Sequence, residues 1–340
     1  MKRFTIKLIG ILIPIYFVVL FYLFYIEPKF SNGLGWLGKI PFGKEYMNSL
    51  EKNYLKECRV DTFQVNSNSL QARIATCGDS FSQQNIFGYQ NYLAHIENTT
   101  ILNFKRNDNC SLSPEQIIIN HLKLGDLHKL KTETVIVEAV ERAFISNLCN
   151  LNFDSILVES EQTIKQSSKK PIIENISEWI RLSIWAGKES MVKKVNLDSY
   201  YFDNVKRGNE LYFINADLWF TNINSEDIKL AKMNLIKLKQ LFDSAGIKFI
   251  YLIAADKYNV YQSFTVNNPY PKNRLMEHFK DFDKMNYFMN TNNILIPMVE
   301  NGIKDVYMMD DTHWSYKASE AVAEELHRRI NLLKIEDTPR

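Results

Sequence analysis

The sequence predicts an α/β protein with a parallel sheet covered by helices on both faces. Its 340 residues are 46% hydrophobic and 24% charged, which is the composition of a globular chain with a core. From about residue 70, short apolar runs alternate with stretches of helical periodicity. Strands separated by helices form parallel sheets. The length suits one large domain, or one domain with an insertion.

Five apolar runs are predicted as strands, at residues 73–77, 99–104, 134–140, 247–253 and, more weakly, 303–308. Apolar residues at helical spacing predict a helix over 225–245, with Asn224 as its cap and Gly246 as its stop. A second helix is predicted over about 315–334. Residues 150–205 fit the alternation poorly and are predicted to form an insertion or lid.

The N-terminal segment predicts a membrane anchor over residues 1–27. Residues 8–26 are 19 consecutive uncharged, mostly apolar residues, enough to cross a hydrocarbon core of about 30 Å. Lys2, Arg3 and Lys7 precede them, so the N-terminus is predicted to be cytoplasmic and the rest exported. The alternative is a cleaved signal peptide, but its apolar region is normally only about 7–15 residues long and ends at a small-residue site, which is not evident here.

The predicted organisation is therefore a single-pass protein of the inner or cytoplasmic membrane whose main domain faces the periplasm or the cell exterior. Residues 28–66 are predicted to be a juxtamembrane stalk, and residues 67–340 the catalytic domain. Within the stalk, Gly33, Gly35 and Gly38 match the pattern GxGxxG. The dinucleotide motif must follow a strand and open a helix, so this match is rejected.

Charge and metal-ligand patterns exclude other classes of protein. Lys plus Arg number 41 and Asp plus Glu 39, so the chain lacks the basic excess of a dedicated nucleic-acid binder. The histidines form no HxxxH or HExxH pattern and the cysteines no CxxC, so neither a metal nor a cofactor is predicted. Four cysteines permit bridges outside the cytoplasm. A bridge, if one forms, is predicted between Cys110 and Cys149; the alternative is that most are buried thiols.

A candidate nucleophile, Ser80, follows the first predicted strand in the run Gly78-Asp79-Ser80. A serine at a strand-to-helix turn lies over the carboxyl end of the sheet, and its backbone N–H can hydrogen-bond an oxyanion. The competing interpretation is that Asp79 or Ser80 simply caps the next helix.

A candidate base, His313, lies in the loop before the last predicted helix. A serine nucleophile needs a base, and the base needs an acid that fixes its tautomer. Asp311, two residues earlier, is close enough to reach the imidazole Nδ1, and Asp310 is the alternative acid. The aspartate that does not orient the base is expected to face solvent or to cap the helix beginning near Ser315. The competing interpretation is a surface histidine beside a helix-capping aspartate.

Together, Gly78–Ser80 and Asp311–Trp314 resemble the first and last motif blocks of the SGNH (GDSL-type) hydrolase superfamily. The Asp-Thr-His-Trp form is similar to the alginate O-acetyltransferase (AlgX/AlgJ-like) branch, whose members are exported and modify polysaccharides. The resemblance covers about residues 70–335. It implies a flavodoxin-like α/β/α sandwich with a mostly parallel five-stranded sheet. It also implies a nucleophile, a base and an orienting acid at Ser80, His313 and Asp311.

Weaker similarities in the strand end Glu141-Arg142 and in residues 255–261 add further positions. The oxyanion or substrate candidates are Gly78, Asp79, Asn103, Arg142, Lys257, Tyr261 and Trp314. The chain also departs from the family pattern. The second-block glycine is missing near Asn103, the third block is absent, and the serine precedes the Asp-x-His pair, whereas the alginate enzymes have the reverse order.

The resemblance implies a membrane-anchored serine O-acyltransferase. Such an enzyme moves acetyl groups onto a cell-surface or exported polysaccharide through an acyl-enzyme on Ser80, without a cofactor. A membrane-bound O-acyltransferase that supplies the acetyl groups is the implied partner. Two alternatives stay open: a carbohydrate acetylesterase with the same triad, and a catalytically degenerate protein that binds glycan or acts as a scaffold.

Overall fold

A six-stranded parallel sheet organises the protein. The computed structural model describes residues 10, 12–18, 33–34, 50, 53–63, 71–105, 112–157, 191–203, 205 and 207–336. Its strands are β1 (Val60–Thr62), β2 (Ile74–Cys77), β3 (Ile101–Asn103), β4 (Thr134–Val140), β5 (Val192–Leu197), β6 (Glu210–Ile214), β7 (Lys248–Ala254), β8 (Thr265–Val266) and β9 (Phe288–Asn290).

The main sheet has the order β1-β3-β2-β4-β7-β9, and every neighbouring pair is parallel. Without the edge strand β1, the remaining five strands have the order 2-1-3-4-5 in chain sequence. This is the order of flavodoxin-like doubly wound sheets, in which ligands bind at the point where the strand order reverses. Here that switch point lies between β2 and β4.

Helices cover both faces of the sheet. They are α1 (Tyr89–Ile96), α2 (Pro114–Lys123), α3 (Asp126–Lys129), α4 (Glu141–Cys149), α5 (Ser225–Ser244), α6 (Lys257–Tyr261), α7 (Asn292–Glu300) and α8 (Tyr316–Glu336). Alternate residues of the buried strand β4 enter different cores. Ile136 belongs to the core that contains Leu93 of α1 and Leu326 of α8. Val135 belongs to the core that contains Phe144 of α4 and Leu235 of α5.

The predicted α/β class is confirmed, but the strand list needs correction. β2, β3, β4 and β7 lie where strands were predicted, whereas residues 303–308 form a loop with one isolated bridge, Tyr307 to Trp314. Asp305 has φ +54°, which interrupts an extended run. The strand next to β7 is instead β9, and β1 adds a sixth strand beyond the five predicted.

The predicted insertion contributes to a second, smaller sheet. β5, inside the range 150–205, pairs antiparallel with β6 and β8. Residues 158–190 lie outside the described residues. Cys149, at the end of α4, is a free thiol whose Sγ lies 3.3 Å from the Asp227 carbonyl. Cys110, the other cysteine of the predicted bridge, lies outside the described residues.

Parts of the predicted stalk are folded with the domain. Leu34, Leu50 and Tyr54 are buried in the first core, and β1 belongs to the main sheet, so the described parts of residues 28–66 do not form a separate spacer. Residues 12–18 are helical. Most of the predicted anchor lies outside the described residues, and no described helix is both long and apolar enough to cross a membrane.

The long helix α5 begins and ends as predicted. Asn224 Oδ1 accepts a hydrogen bond from the backbone N–H of Asp227, 2.9 Å away, and Gly246 follows the helix with φ +70°. A side-chain cap satisfies one of the N–H groups that have no partner in the first helical turn.

Replacing this cap tests the assignment. Asn224→Ala is expected to lower the free energy of unfolding by about 1 kcal/mol, because an N–H of the first turn loses its partner. Asn224→Ser keeps a side-chain acceptor and should stay within a few tenths of a kcal/mol of the wild type. Urea unfolding of the three proteins measures the difference, and equal stability of all three would contradict the assignment.

Candidate active site

The sheet topology gathers the predicted site residues at one edge. Ser80 follows β2, Arg142 follows β4, and Lys257 follows β7. The carboxyl ends of parallel strands lie at the same edge, and β2 and β4 flank the switch point. The sequence-predicted residues therefore surround the place where this class of fold binds ligands.

The turn before Ser80 requires glycine at position 78. A Cβ on Gly78 would lie 2.2 Å from Ser82 Oγ and 2.4 Å from Glu138 Oε2. Ser82 Oγ donates a hydrogen bond to Glu138 Oε2 at 2.9 Å, and Asn103 Nδ2 donates to the Ser82 carbonyl at 2.6 Å. Burial and the nearby Asp79 carboxylate raise the pKa of Glu138 well above its usual value. Asn103, a candidate oxyanion donor, thus uses its amide to hold the turn.

Ser80 itself is exposed, whereas the next two residues are buried. It is the first residue of a 3-10 helix, Ser80–Gln83. Asp79 makes no side-chain cap to that helix; its Oδ2 instead accepts a hydrogen bond from the Val140 backbone N–H at 3.3 Å. Ser80 is therefore exposed beside two buried residues. The interpretation that the Asp79 side chain simply caps this helix is wrong.

Asp311 is the aspartate that contacts the candidate base, His313. Its Oδ1 lies 2.7 Å from His313 Nδ1 and accepts hydrogen bonds from the backbone N–H groups of Thr312 at 2.6 Å and His313 at 3.2 Å. Burial acts to raise the pKa of Asp311, but the hydrogen bonds from His313 and Thr312 lower it below its usual value. A charged, oriented carboxylate on Nδ1 is what a catalytic imidazole needs.

Asp310 is buried, whereas the aspartate that does not orient His313 was expected to face solvent or to cap the next helix. It is 1% exposed, and α8 begins at Tyr316. Its carboxylate lies close enough to Lys257 to favour the charged ammonium there. Asp310 is thus a buried loop residue whose charge lies near the Lys257 amino group.

Phe81 brings the two motif blocks together. Its ring centroid lies 4.9 Å from the centroid of His313 and 4.5 Å from that of Trp314. The residue directly after Ser80 therefore packs against the candidate base His313. His313 Nε2 is buried and has no hydrogen-bond partner among the described residues, and no hydrogen bond joins it to Ser80. Catalytic hydrogen bonds in unliganded structures often tighten only when substrate binds.

Lys257 is buried and hydrogen-bonds the loop that carries His313. It is therefore not accessible to a substrate, contrary to its prediction as an oxyanion or substrate candidate. It is 1% exposed. Its Nζ donates hydrogen bonds to the carbonyls of Met308, Met309 and Asp311, at 2.7, 2.9 and 3.0 Å. Burial lowers the pKa of Lys257 to about 7, against the opposing effect of nearby aspartates.

Arg142 is held by two buried carboxylates at the switch point. It donates to Asp256 and, at 3.5 Å, to Asp217, and its side chain is 17% exposed. Burial raises the pKa of both aspartates, against the effect of the guanidinium. Nothing in the sequence marked Asp217, whereas Glu138 could have been found as the single charge within the apolar run of β4.

Tyr261 and Trp314 are buried beneath the site. The hydroxyl of Tyr261 accepts a hydrogen bond from the Tyr307 backbone N–H at 3.4 Å, and Trp314 Nε1 donates to the Tyr307 hydroxyl at 2.9 Å. Both side chains support the loop that carries His313, and neither is available to a substrate in this structure. Among the described residues, no three His, Cys, Asp or Glu side chains are grouped so that they could hold a metal ion.

The low pKa of Lys257 predicts a pH-dependent stability. The unfolded chain keeps this proton up to about pH 10.4, whereas the folded chain releases it near pH 7. The unfolded state therefore binds more protons in that window, so this residue makes stability rise with pH from about 7 to 10. The unfolding free energy of the wild type minus that of Lys257→Met should therefore increase as the pH rises from about 7 to 10.

Urea unfolding at several pH values measures that difference. Lys272→Met, which replaces an exposed lysine, is the control and should leave the pH dependence unchanged. A difference between wild type and Lys257→Met that is constant with pH would show that Lys257 titrates alike in both states.

Comparison of the chain with protein-family models, with curated proteins and with solved structures finds no match.

Proposed function

We propose that this chain is an SGNH-type serine O-acyltransferase with a flavodoxin-like domain, anchored in the inner or cytoplasmic membrane, which acetylates an exported polysaccharide. The observation that carries the proposal is the oriented pair Asp311–His313, 2.7 Å apart, packed against the residue that follows an exposed serine. A nucleophile, a base and an acid on loops at one sheet edge are the parts of a serine acyl-transfer site.

The chemistry follows from these positions. Ser80 Oγ attacks the carbonyl carbon of an acetyl ester while His313 Nε2 takes its proton, and Asp311 stabilises the imidazolium. The backbone N–H of Ser80, at the start of its 3-10 helix, is a donor for the oxyanion. Collapse breaks the ester bond, and the departing alcohol takes the proton from His313. A sugar hydroxyl then loses its proton to His313, attacks the acetyl-Ser80 carbonyl and releases Ser80, which regains a proton from His313.

The proposed anchor keeps this site near the membrane. Gly33, where an added Cβ would meet the Asp311 side chain, is seven residues after the end of the apolar run at Ile26, and seven extended residues span at most about 25 Å. A site tethered at that distance suits an acetyl donor delivered at the membrane surface by a membrane-bound O-acyltransferase partner. The exposure of Ser80 suits a bulky polysaccharide acceptor.

Substitution of the nucleophile gives the first test. Ser80→Ala is expected to abolish acetyl-ester hydrolysis and covalent labelling by an organophosphonate ester. It should change unfolding free energy by less than about 1 kcal/mol, because an exposed hydroxyl contributes little packing. Ser244→Ala, which alters an exposed serine at the end of α5, is the control and should keep full activity. Retained activity in Ser80→Ala would exclude Ser80 as the nucleophile.

The two adjacent aspartates give the second test. Asp311→Asn should lower turnover by roughly 10³–10⁴, because the imidazole loses its counter-charge and its correct tautomer. Asp310→Asn is nearly isosteric and should stay within about tenfold of wild type, since Asp311 is the residue hydrogen-bonded to His313 Nδ1. Steady-state kinetics with an acetyl ester measure both variants, and the reverse ranking would reassign the acid to Asp310.

A glycan acceptor separates the competing functions. The full chain is incubated with an acetyl-ester donor, with and without candidate polysaccharides. Acetylated glycan that depends on Ser80 supports the acyltransferase. Release of acetate alone identifies an acetylesterase. Absence of both activities together with an unlabelled Ser80 would leave the non-catalytic glycan-binding alternative.

A further inference from the structure

A short N-terminal segment lies directly on the loop that carries the proposed catalytic acid. The backbone N–H of Leu34 donates a hydrogen bond to the Asp310 carbonyl at 2.8 Å. The Leu34 side chain is fully buried in the first core. The loop Asp310–Trp314 therefore accepts hydrogen bonds from two distant residues. Lys257 Nζ donates to the Asp311 carbonyl, and the Leu34 backbone N–H donates to the Asp310 carbonyl.

Gly33 fits against the Asp311 carboxylate itself. A Cβ built on Gly33 would lie 3.0 Å from Asp311 Cγ, 3.1 Å from Oδ2 and 3.2 Å from the Asp310 carbonyl oxygen. Gly33 also has φ +63°, a conformation that side chains disfavour. Oδ1 is the oxygen that binds His313, so Gly33 occupies the space beside the other carboxylate oxygen.

We propose that Gly33 and Leu34 are positioning residues that seat the Asp311 carboxylate against His313. The inference rests on the proposed function and adds to it that the segment next to the predicted anchor completes the acid–base pair. Oδ1 is held by the imidazole and the Thr312 N–H, and the absence of a side chain at Gly33 leaves the space that Cγ and Oδ2 need in this orientation. Gly33 is also the first glycine of the GxGxxG match, which lacks the predicted strand and helix of a nucleotide site; its role here is a different one.

Two alanine variants separate this contact from backbone strain. Gly33→Ala and Gly125→Ala both place a side chain at positive φ, +63° and +74°, but nothing lies within 4 Å of a Cβ at Gly125. Gly33→Ala should lower kcat for acetyl-ester hydrolysis by on the order of 10²-fold, the effect of a small misplacement of a catalytic group, with KM unchanged. Gly125→Ala should stay within about twofold of wild-type kcat, because its strain lies away from the site. Equal kcat losses in both variants would overturn the proposal.

A double-mutant cycle tests the route of the effect. In an Asp311→Asn background, Gly33→Ala should produce little further loss of kcat, because the charged group that it displaces is already gone. The full loss repeated in that background would show that Gly33 acts through the fold and not through Asp311.

A readout that needs no activity distinguishes failure of this proposal from failure of the proposed function. In the full chain, proton NMR should show the hydrogen-bonded His313 Nδ1–H as a downfield resonance that His313→Gln removes. Gly33→Ala should shift or broaden it, and Gly125→Ala should not. If Gly33→Ala does not fold, Leu34→Ala is the second variant, and it should also shift or broaden the His313 resonance. An unchanged resonance in these segment variants overturns the positioning role, whereas the predicted changes in a chain without esterase activity would overturn only the function.

Discussion

The buried amino group of Lys257 determines where the last loop, and therefore His313, can lie. Its Nζ lies within hydrogen-bond distance of three carbonyls, those of Met308, Met309 and Asp311. These hydrogen bonds satisfy carbonyl groups of a largely buried loop, and losing a partner of a buried carbonyl is costly. Because Lys257 lies three residues after the end of β7, the central sheet fixes the loop, the loop fixes Asp311, and Asp311 orients His313.

Sequence reasoning succeeded where a feature depends on neighbouring residues. The helix α5 was predicted with its Asn224 cap because the cap and the apolar spacing are local. β4 is predictable because five of its seven residues are β-branched. The choice of Asp311 over Asp310 came from the resemblance to a motif, and the structure places Asp311 on Nδ1 of the base.

Features that depend on distant parts of the chain could not be predicted in this way. β1 and β9 are only three residues long, so pairing with the sheet, and not an apolar run, defines them. Val306, Tyr307 and Met308 are apolar residues buried in a loop, and periodicity does not distinguish such a run from a strand. The roles of Lys257 and Gly33 depend on contacts with a loop far away in sequence, and no local pattern encodes such contacts.

Direct detection of the acyl-enzyme tests the central claim that Ser80 and His313 form an acyl-transfer site. The full chain is mixed with an activated acetyl ester, quenched in acid, digested and analysed by mass spectrometry. The account predicts one acetyl group on the peptide that contains Ser80, absent from Ser80→Ala and strongly reduced in His313→Ala. Acetylation that is spread over other residues, or that is equal in the wild type and His313→Ala, would contradict it.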